Sequence, residues 1–373
     1  MIYLDFAATS LIKPVSVSRA VSHAMATMAS PGRGAHSPAM RAADTVLDCR
    51  LAAAELFHVP EPEQVVFTLN ATHALNLAIR SLARPGSKVL ISGFEHNSVT
   101  RPLHALGAET VVAGRKLFDN GDFLRDFADK IPKADLVVCT QVSNVFGSIL
   151  PIAEIASLCR KNRVPLVIDA SQAAGVLELD FAALGADFVA MPGHKSLFGP
   201  QGTGILLCAQ PGSPLLFGGS GSDSLLQTMP EYLPDRLEAG THNVSGIAGL
   251  LAGIRYVLET GTDRIREHEQ KLLRQMCALL ESEGRLELFA GPEGCQSGVL
   301  SLRCAGFDSE ALAARLGEKG ICVRGGLHCA PTAHASAGTL ETGTVRFSFS
   351  PFTDEAQIDR ACQSLRQIIN AAE

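Results

Sequence analysis

The chain has no tryptophan and only 3 tyrosines in 373 residues, and aromatic residues make up 5% of it. That scarcity excludes the aromatic platforms on which single-stranded nucleic acids stack. Positive charge is not in excess either: 32 Lys and Arg stand against 38 Asp and Glu, a net −6. The basic residues are scattered, so the electrostatic footprint of a nucleic-acid binder is missing. No apolar run reaches the ~18 residues that a membrane span requires. Met1-Ile2-Tyr3-Leu4-Asp5 lacks the basic start and apolar core of a secretory signal. The 34 glycines and 19 prolines follow no period, which excludes collagen-like and low-complexity classes. Neither Cys-x-x-Cys nor His-Glu-x-x-His occurs, and no Cys/His cluster has zinc spacing, so no metal site is expected.

What is present describes a soluble, acidic, cytoplasmic protein with a large core. Hydrophobic residues make up 46% of the chain, and the length suits two domains. The 10 cysteines lie far apart and read as small buried hydrophobes in a reducing compartment, with Cys329 set aside for a separate argument.

Short runs rich in Val, Leu and Ile alternate with helical patterns through the middle of the chain. Strands are expected at 64–68, 88–92, 109–112, 136–140, 165–169, 188–191 and 204–208, apolar on both faces as buried parallel strands are. Helices are expected at 71–82, 100–106, 152–162 and 180–184. The pattern predicts an α/β fold: a mostly parallel seven-stranded sheet flanked by helices. Beyond about residue 240 it changes to helices at 244–259 and 263–281, then strands at 298–303, 321–324 and 345–348 around a helix at 309–316. That predicts a large domain over 16–250 and a small α+β domain formed by 1–15 and 251–373.

An open α/β sheet binds ligands beyond the C-terminal ends of its strands, and the polar residues there are coherent. Lys195, following Pro192-Gly193-His194, suits a Schiff base with an aldehyde cofactor. Asp169, ending a neighbouring strand, is the partner a pyridinium nitrogen needs. Thr72 opens a helix, where backbone N–H groups can hold a phosphate. Together these describe pyridoxal 5'-phosphate.

The segments Gly193-His194-Lys195, Val167-Ile168-Asp169-Ala170-Ser171-Gln172, Val142-Ser143-Asn144-Val145-Phe146-Gly147 and Arg236-Leu237-Glu238-Ala239-Gly240-Thr241 resemble the class V aminotransferase superfamily. Arg324-Gly325-Gly326-Leu327-His328-Cys329-Ala330-Pro331 narrows the resemblance to its cysteine desulfurase and selenocysteine lyase group. It extends from Tyr3 to Arg346 and implies a fold-type I pyridoxal-phosphate enzyme that acts as a homodimer. In that resemblance Lys195 would hold the cofactor and move substrate protons, and Asp169 would keep the ring nitrogen protonated. His96 would stack on the ring and assist proton transfer, while Gln172 and Asn144 would contact the side of its phenolic oxygen. Thr72 and His194 would hold the phosphate, with Thr241 reaching in from the second subunit. His73, beside Thr72, stands where relatives often carry Glu or Thr and is a further cofactor-binding candidate. Arg346 would bind the substrate carboxylate, Asn144 sharing that side, and Arg33 and His36 would border the site. Cys329 would be the nucleophile that takes sulfur as a persulfide, on a loop made flexible by Gly325 and Gly326, and pass it to an acceptor protein or small thiol.

Two departures stand out. Pro192 replaces a residue that often donates to the phosphate, and it cannot donate. The segment 332–343 is longer than usual and bears on access to Cys329. His334, inside it, has no assigned role. The reaction expected is conversion of L-cysteine to L-alanine. Selenocysteine lyase, transamination, racemisation and another β-elimination are the alternatives on the same fold.

Overall fold

The protein is described by a computed structural model covering residues 1–31 and 34–371. Its strands are β1 (Ile2–Tyr3), β2 (Val65–Thr68), β3 (Lys88–Ser92), β4 (Glu109–Ala113), β5 (Leu136–Thr140), β6 (Leu166–Asp169), β7 (Phe188–Pro192), β8 (Gly204–Cys208), β9 (Leu286–Phe289), β10 (Val299–Cys304), β11 (Ile321–Cys322) and β12 (Val345–Ser348). Its α-helices are α1 (Val15–Thr27), α2 (Ser37–Phe57), α3 (Ala71–Leu82), α4 (Asn97–Leu106), α5 (Asn120–Lys130), α6 (Ile152–Asn162), α7 (Phe181–Leu184), α8 (Val244–Thr260), α9 (Thr262–Leu280), α10 (Ser309–Glu318), α11 (Pro331–Ala337) and α12 (Glu355–Asn370).

Strands β2 to β8 form one sheet in the order β2-β8-β7-β6-β5-β3-β4. Only β8 runs antiparallel to its neighbours; the pairs from β7 to β4 are parallel. Strands β5 to β8 are buried along their whole length, because helices cover both faces. Alternate side chains feed two cores: Leu90, Val137, Ile168 and Val189 on one face, and Val89, Ile91, Val138 and Val167 on the other. Strand β4 is the exception, exposing Glu109 and Thr110 at the sheet edge.

A second sheet, β12-β10-β9, is antiparallel. The N-terminus joins this end of the chain, with Ile2 pairing in parallel with Ile321 and Asp5 bridging to Ser348. Leu4 shares a core with residues of α9, α10, α12 and this sheet. Residue 250 falls inside α8, whose Leu250 and Ile254 belong to the core of the large sheet.

Helix α4 begins at Asn97 instead of Thr100, because His96 caps it and accepts from the Ser98 N–H. Pro102 lies inside that helix without stopping it. Among the described residues, no helix is long and apolar enough to cross a membrane.

Candidate active site

The parallel register places the ends of β3, β5, β6 and β7 side by side. Thr140 pairs with Asp169, and Asp169 with Ala190, two residues before β7 ends at Pro192 and the chain turns to Lys195. The loops beyond these ends, with α3 and α4, wall a cavity of about 210 Å³. Lys195, Asp169, His96, Thr72, Asn144, Gln172, His194 and Arg346 all line it.

Asp169 is buried, and Oδ1 alone accepts from the N–H and hydroxyl of Ser171. Oδ2 is left for whatever enters the cavity. Burial pushes the Lys195 ammonium down to about 8, with the Asp169 carboxylate working against that shift and Arg346 adding to it. Lys195 is thus a half-buried residue whose amine can lose its proton close to neutral pH.

His96 is held by its Nδ1, which accepts from the Ser98 N–H at 3.0 Å and lies 2.9 Å from the Ser98 hydroxyl. Burial is the main reason its pKa falls to about 4, so the ring is neutral and its proton sits on Nε2. Ser98 also lies 2.8 Å from the Thr72 hydroxyl. Helix α3 begins here, with Asn70 capping its third residue, which turns the N–H groups of Ala71 and Thr72 toward the cavity. His194 lies 3.0 Å from the Thr9 hydroxyl, and burial pushes it to about 4 as well. Gln172 donates to the carbonyl of Ala7 at 3.0 Å.

On the opposite wall the Arg346 side chain, 1% exposed, donates from Nη1 to the Asn144 carbonyl at 2.9 Å and from Nη2 to Asp5 Oδ1 at 2.7 Å. Its Nε is buried with no partner. Two fixed contacts orient the guanidinium, and three of its five N–H donors are left over.

Cys329 is the only exposed cysteine of the ten. It is not in the cavity wall, but its carbonyl accepts from the Asn97 N–H at 2.8 Å, one residue from His96. The preceding carbonyl, of His328, accepts from the Asn144 side chain at 2.8 Å. The flexibility expected from Gly325 and Gly326 gives way to close packing. A Cβ on Gly325 would sit 2.4 Å from the Ser309 carbonyl oxygen, and Gly326 needs its φ of +96°. Segment 332–343 is likewise docked: Thr332 donates to the Glu95 carbonyl and Ser336 to the Gly93 carbonyl.

Three of the expected residues lie elsewhere among the described residues. His73 and Thr241 line a separate cavity beside Glu238 and His242. His36 is an exposed residue preceding α2. Arg33 lies outside the described residues. Sequence reasoning missed Ser98, Asp5 and Arg324, of which Ser98 and Arg324 line the cavity. Ser98 had a signal, two residues beyond His96 at a helix start. Among the described residues no cluster of side chains could hold a metal.

The Aminotransferase class-V family profile matches residues 2–361. A "Probable cysteine desulfurase" of Methanothermobacter thermautotrophicus is 32% identical over 98% of this chain and 94% of its own length. A "Cysteine desulfurase" of Synechococcus elongatus is 31% identical over 99% of this chain, which spans 60% of that longer relative. Among solved structures, the apo cysteine desulfurase of Thermococcus onnurineus superposes with a TM-score of 0.90 at 30% identity, covering 99% of this chain and 95% of its own.

Proposed function

The chain belongs to the class V aminotransferase family, and on that premise we propose that it is a cysteine desulfurase working with pyridoxal 5'-phosphate. The observation that carries this reading is the pairing of Lys195 and Asp169 in one cavity with Arg346 opposite and the exposed Cys329 beside His96. The donor set fits the cofactor. Oδ2 of Asp169 suits its ring nitrogen, the Lys195 amine its aldehyde, and the α3 N-terminus with Thr72, Ser98 and His194 its phosphate. Pro192, in the same wall, supplies no donor, so the phosphate rests on the others.

Bound there, the cofactor supplies an electron sink that weakens the bonds at the substrate Cα and then the Cβ–S bond. Arg346 holds the substrate carboxylate with guanidinium N–H groups not used by Asn144 and Asp5. Lys195 Nζ, poised by burial near its own pKa, takes the proton from Cα and returns protons to the carbon skeleton. His96, neutral, presents Nε2–H toward the ring side of the cavity. Cys329, as thiolate, attacks the substrate sulfur: the S–S bond forms, Cβ–S breaks, and its electron pair ends as a C–H bond in L-alanine. Cys329 is left as a persulfide, from which an acceptor protein or small thiol draws the sulfur.

A homodimer belongs to the same reading. Thr241 is exposed and outside the catalytic cavity, and Phe217 and Leu225 nearby in sequence are 76% and 97% exposed, as a face covered by a second copy would be. The test is incubation of purified, cofactor-loaded protein with L-cysteine, measuring alanine and the mass of the Cys329 peptide. Alanine together with a gain of one sulfur atom on Cys329 is the expected result. Alanine formed at full rate by Cys329→Ala would remove the nucleophile from this scheme, and no alanine at all from the wild type would remove the function.

A further inference from the structure

His328 and Cys329 are the only two consecutive non-glycine residues with left-handed backbone among the described residues, at φ 52° and 56°. L residues adopt such a turn only when their surroundings impose it. Its carbonyls are held from the cofactor side by Asn144 and by the Asn97 N–H. Its one large side chain, His328, is 4% exposed, and the residue forms part of the wall of the catalytic cavity.

His328 meets His334, which is fully buried, as is Thr339. The two imidazoles lie nearly parallel, 12° apart with centroids 5.7 Å from each other. His328 Nε2 is 3.1 Å from the Arg324 carbonyl, His334 Nε2 is 3.5 Å from His328 Nδ1, and the Thr339 hydroxyl is 2.7 Å from His334 Nδ1. Carbonyl oxygens only accept, so His328 carries its proton on Nε2 and offers a bare Nδ1. In the order that completes the chain, His334 donates from Nε2 and accepts on Nδ1 from the Thr339 hydroxyl, with the backbone of Leu327 and Thr339 also in contact with the ring. Burial supports the neutral rings this order requires, pushing His328 to about 2 and His334 to about 4. The Arg324 carbonyl at the far end also accepts the Arg346 N–H at 2.8 Å.

We propose that His334, oriented by Thr339, is a positioning residue for Cys329: through the His328 ring it fixes the left-handed turn that presents the thiol and ties it to the backbone pairing that carries Arg346. The proposal rests on the desulfurase reading for the reaction it serves. His334 does not line the catalytic cavity, so it acts only through His328. A buried histidine kept merely for bulk would not need one particular proton arrangement across three side chains.

The test uses the cofactor-loaded enzyme with Thr339→Val, His334→Phe and His334→Gln. Valine replaces only the hydroxyl, phenylalanine keeps a ring without hydrogen bonds, and glutamine can still accept from Thr339 and donate to His328. For T339V and H334F, cofactor absorbance stays at the wild-type level and KM for L-cysteine stays within about twofold. Single-turnover alanine formation slows about tenfold, and H334Q recovers to within about threefold. Wild-type rates in T339V and H334F overturn the proposal. So does a loss of absorbance and of kcat and KM together, which marks general damage. Should H334F fail to fold, T339V decides. Iodoacetamide labelling of Cys329 needs no substrate, so it separates the two readings: a T339V labelling rate shifted at least about threefold supports positioning even if the wild type makes no alanine. An unchanged labelling rate overturns it.

Discussion

Arg346 and Asp5 are 341 residues apart in sequence, and their side chains meet at 2.7 Å between Nη2 and Oδ1. The pair joins the segment just after β1 to β12, the strand that carries the substrate-binding candidate, and Arg346 is 1% exposed. Asp5 therefore sets the direction in which the guanidinium faces the cavity. Arg346→Met should raise KM for L-cysteine about 30-fold, the worth of a charge-assisted contact to a carboxylate. Asp5→Asn should raise it about fivefold, since the orienting bond weakens while the cation remains. Steady-state kinetics on both variants check this, and an unchanged KM in Arg346→Met would move carboxylate binding elsewhere.

Ser98 stands between His96 and Thr72, with its hydroxyl 2.9 Å from His96 Nδ1 and 2.8 Å from the Thr72 hydroxyl. One side chain thus sets the ring that faces the cofactor and a hydroxyl that faces its phosphate. Pro192 gives no donor to that phosphate, so Ser98 carries more of the task. Ser98→Ala should weaken cofactor retention about tenfold, read by equilibrium dialysis against free pyridoxal phosphate. Retention equal to the wild type would leave Ser98 a helix-start residue only.

Much of this site was legible because an α/β sheet exports its chemistry to strand ends. Asp169 and Lys195 each follow a short apolar run, and those runs pair side by side as β6 and β7. Arg346 was legible as a charge entering an apolar strand, but not its partner Asp5, because nothing local marks a contact closed across the chain. Gly325 and Gly326 were misread for a related reason. A glycine pair signals either freedom or close approach, and only the packing against Ser309 and Glu310 distinguishes the two. Near residue 250 the sequence marks no break, because α8 runs from Val244 to Thr260 and its buried face joins the core of the large sheet.

Glu95 is a buried carboxyl with no cation to compensate it. Oε1 accepts from the Thr140 N–H and the Ser92 hydroxyl, while Oε2 has no partner. Burial raises its pKa to about 8. The folded state therefore binds one more proton than the unfolded state between the ordinary carboxyl range and about pH 8. Stability falls as pH rises through that window and levels off above it, by about 5 kcal/mol in all. Glu95→Gln keeps the acceptor and cannot ionise. It should match the wild type at pH 4.5 and exceed its stability above pH 8, by denaturant melts at several pH values. Parallel pH profiles for the two proteins would place the carboxylate in contact with a compensating charge.

Cys329 differs from the other cysteines in exposure, and that difference predicts selectivity. Six of the ten are buried and three are intermediate. Burial pushes the thiols of Cys159 and Cys362 up to about 12 and that of Cys277 to about 11. A thiol so raised offers almost no thiolate at neutral pH, and the thiolate is the reacting form. Brief treatment of the folded protein with iodoacetamide should therefore modify Cys329 first, by at least about tenfold over any other cysteine in peptide mapping. Prior incubation with L-cysteine should change the labelled species, because the alkylated group then carries the additional sulfur. Equal labelling of Cys277, Cys295 or Cys322 would show a second reactive thiol and reopen which cysteine receives the sulfur.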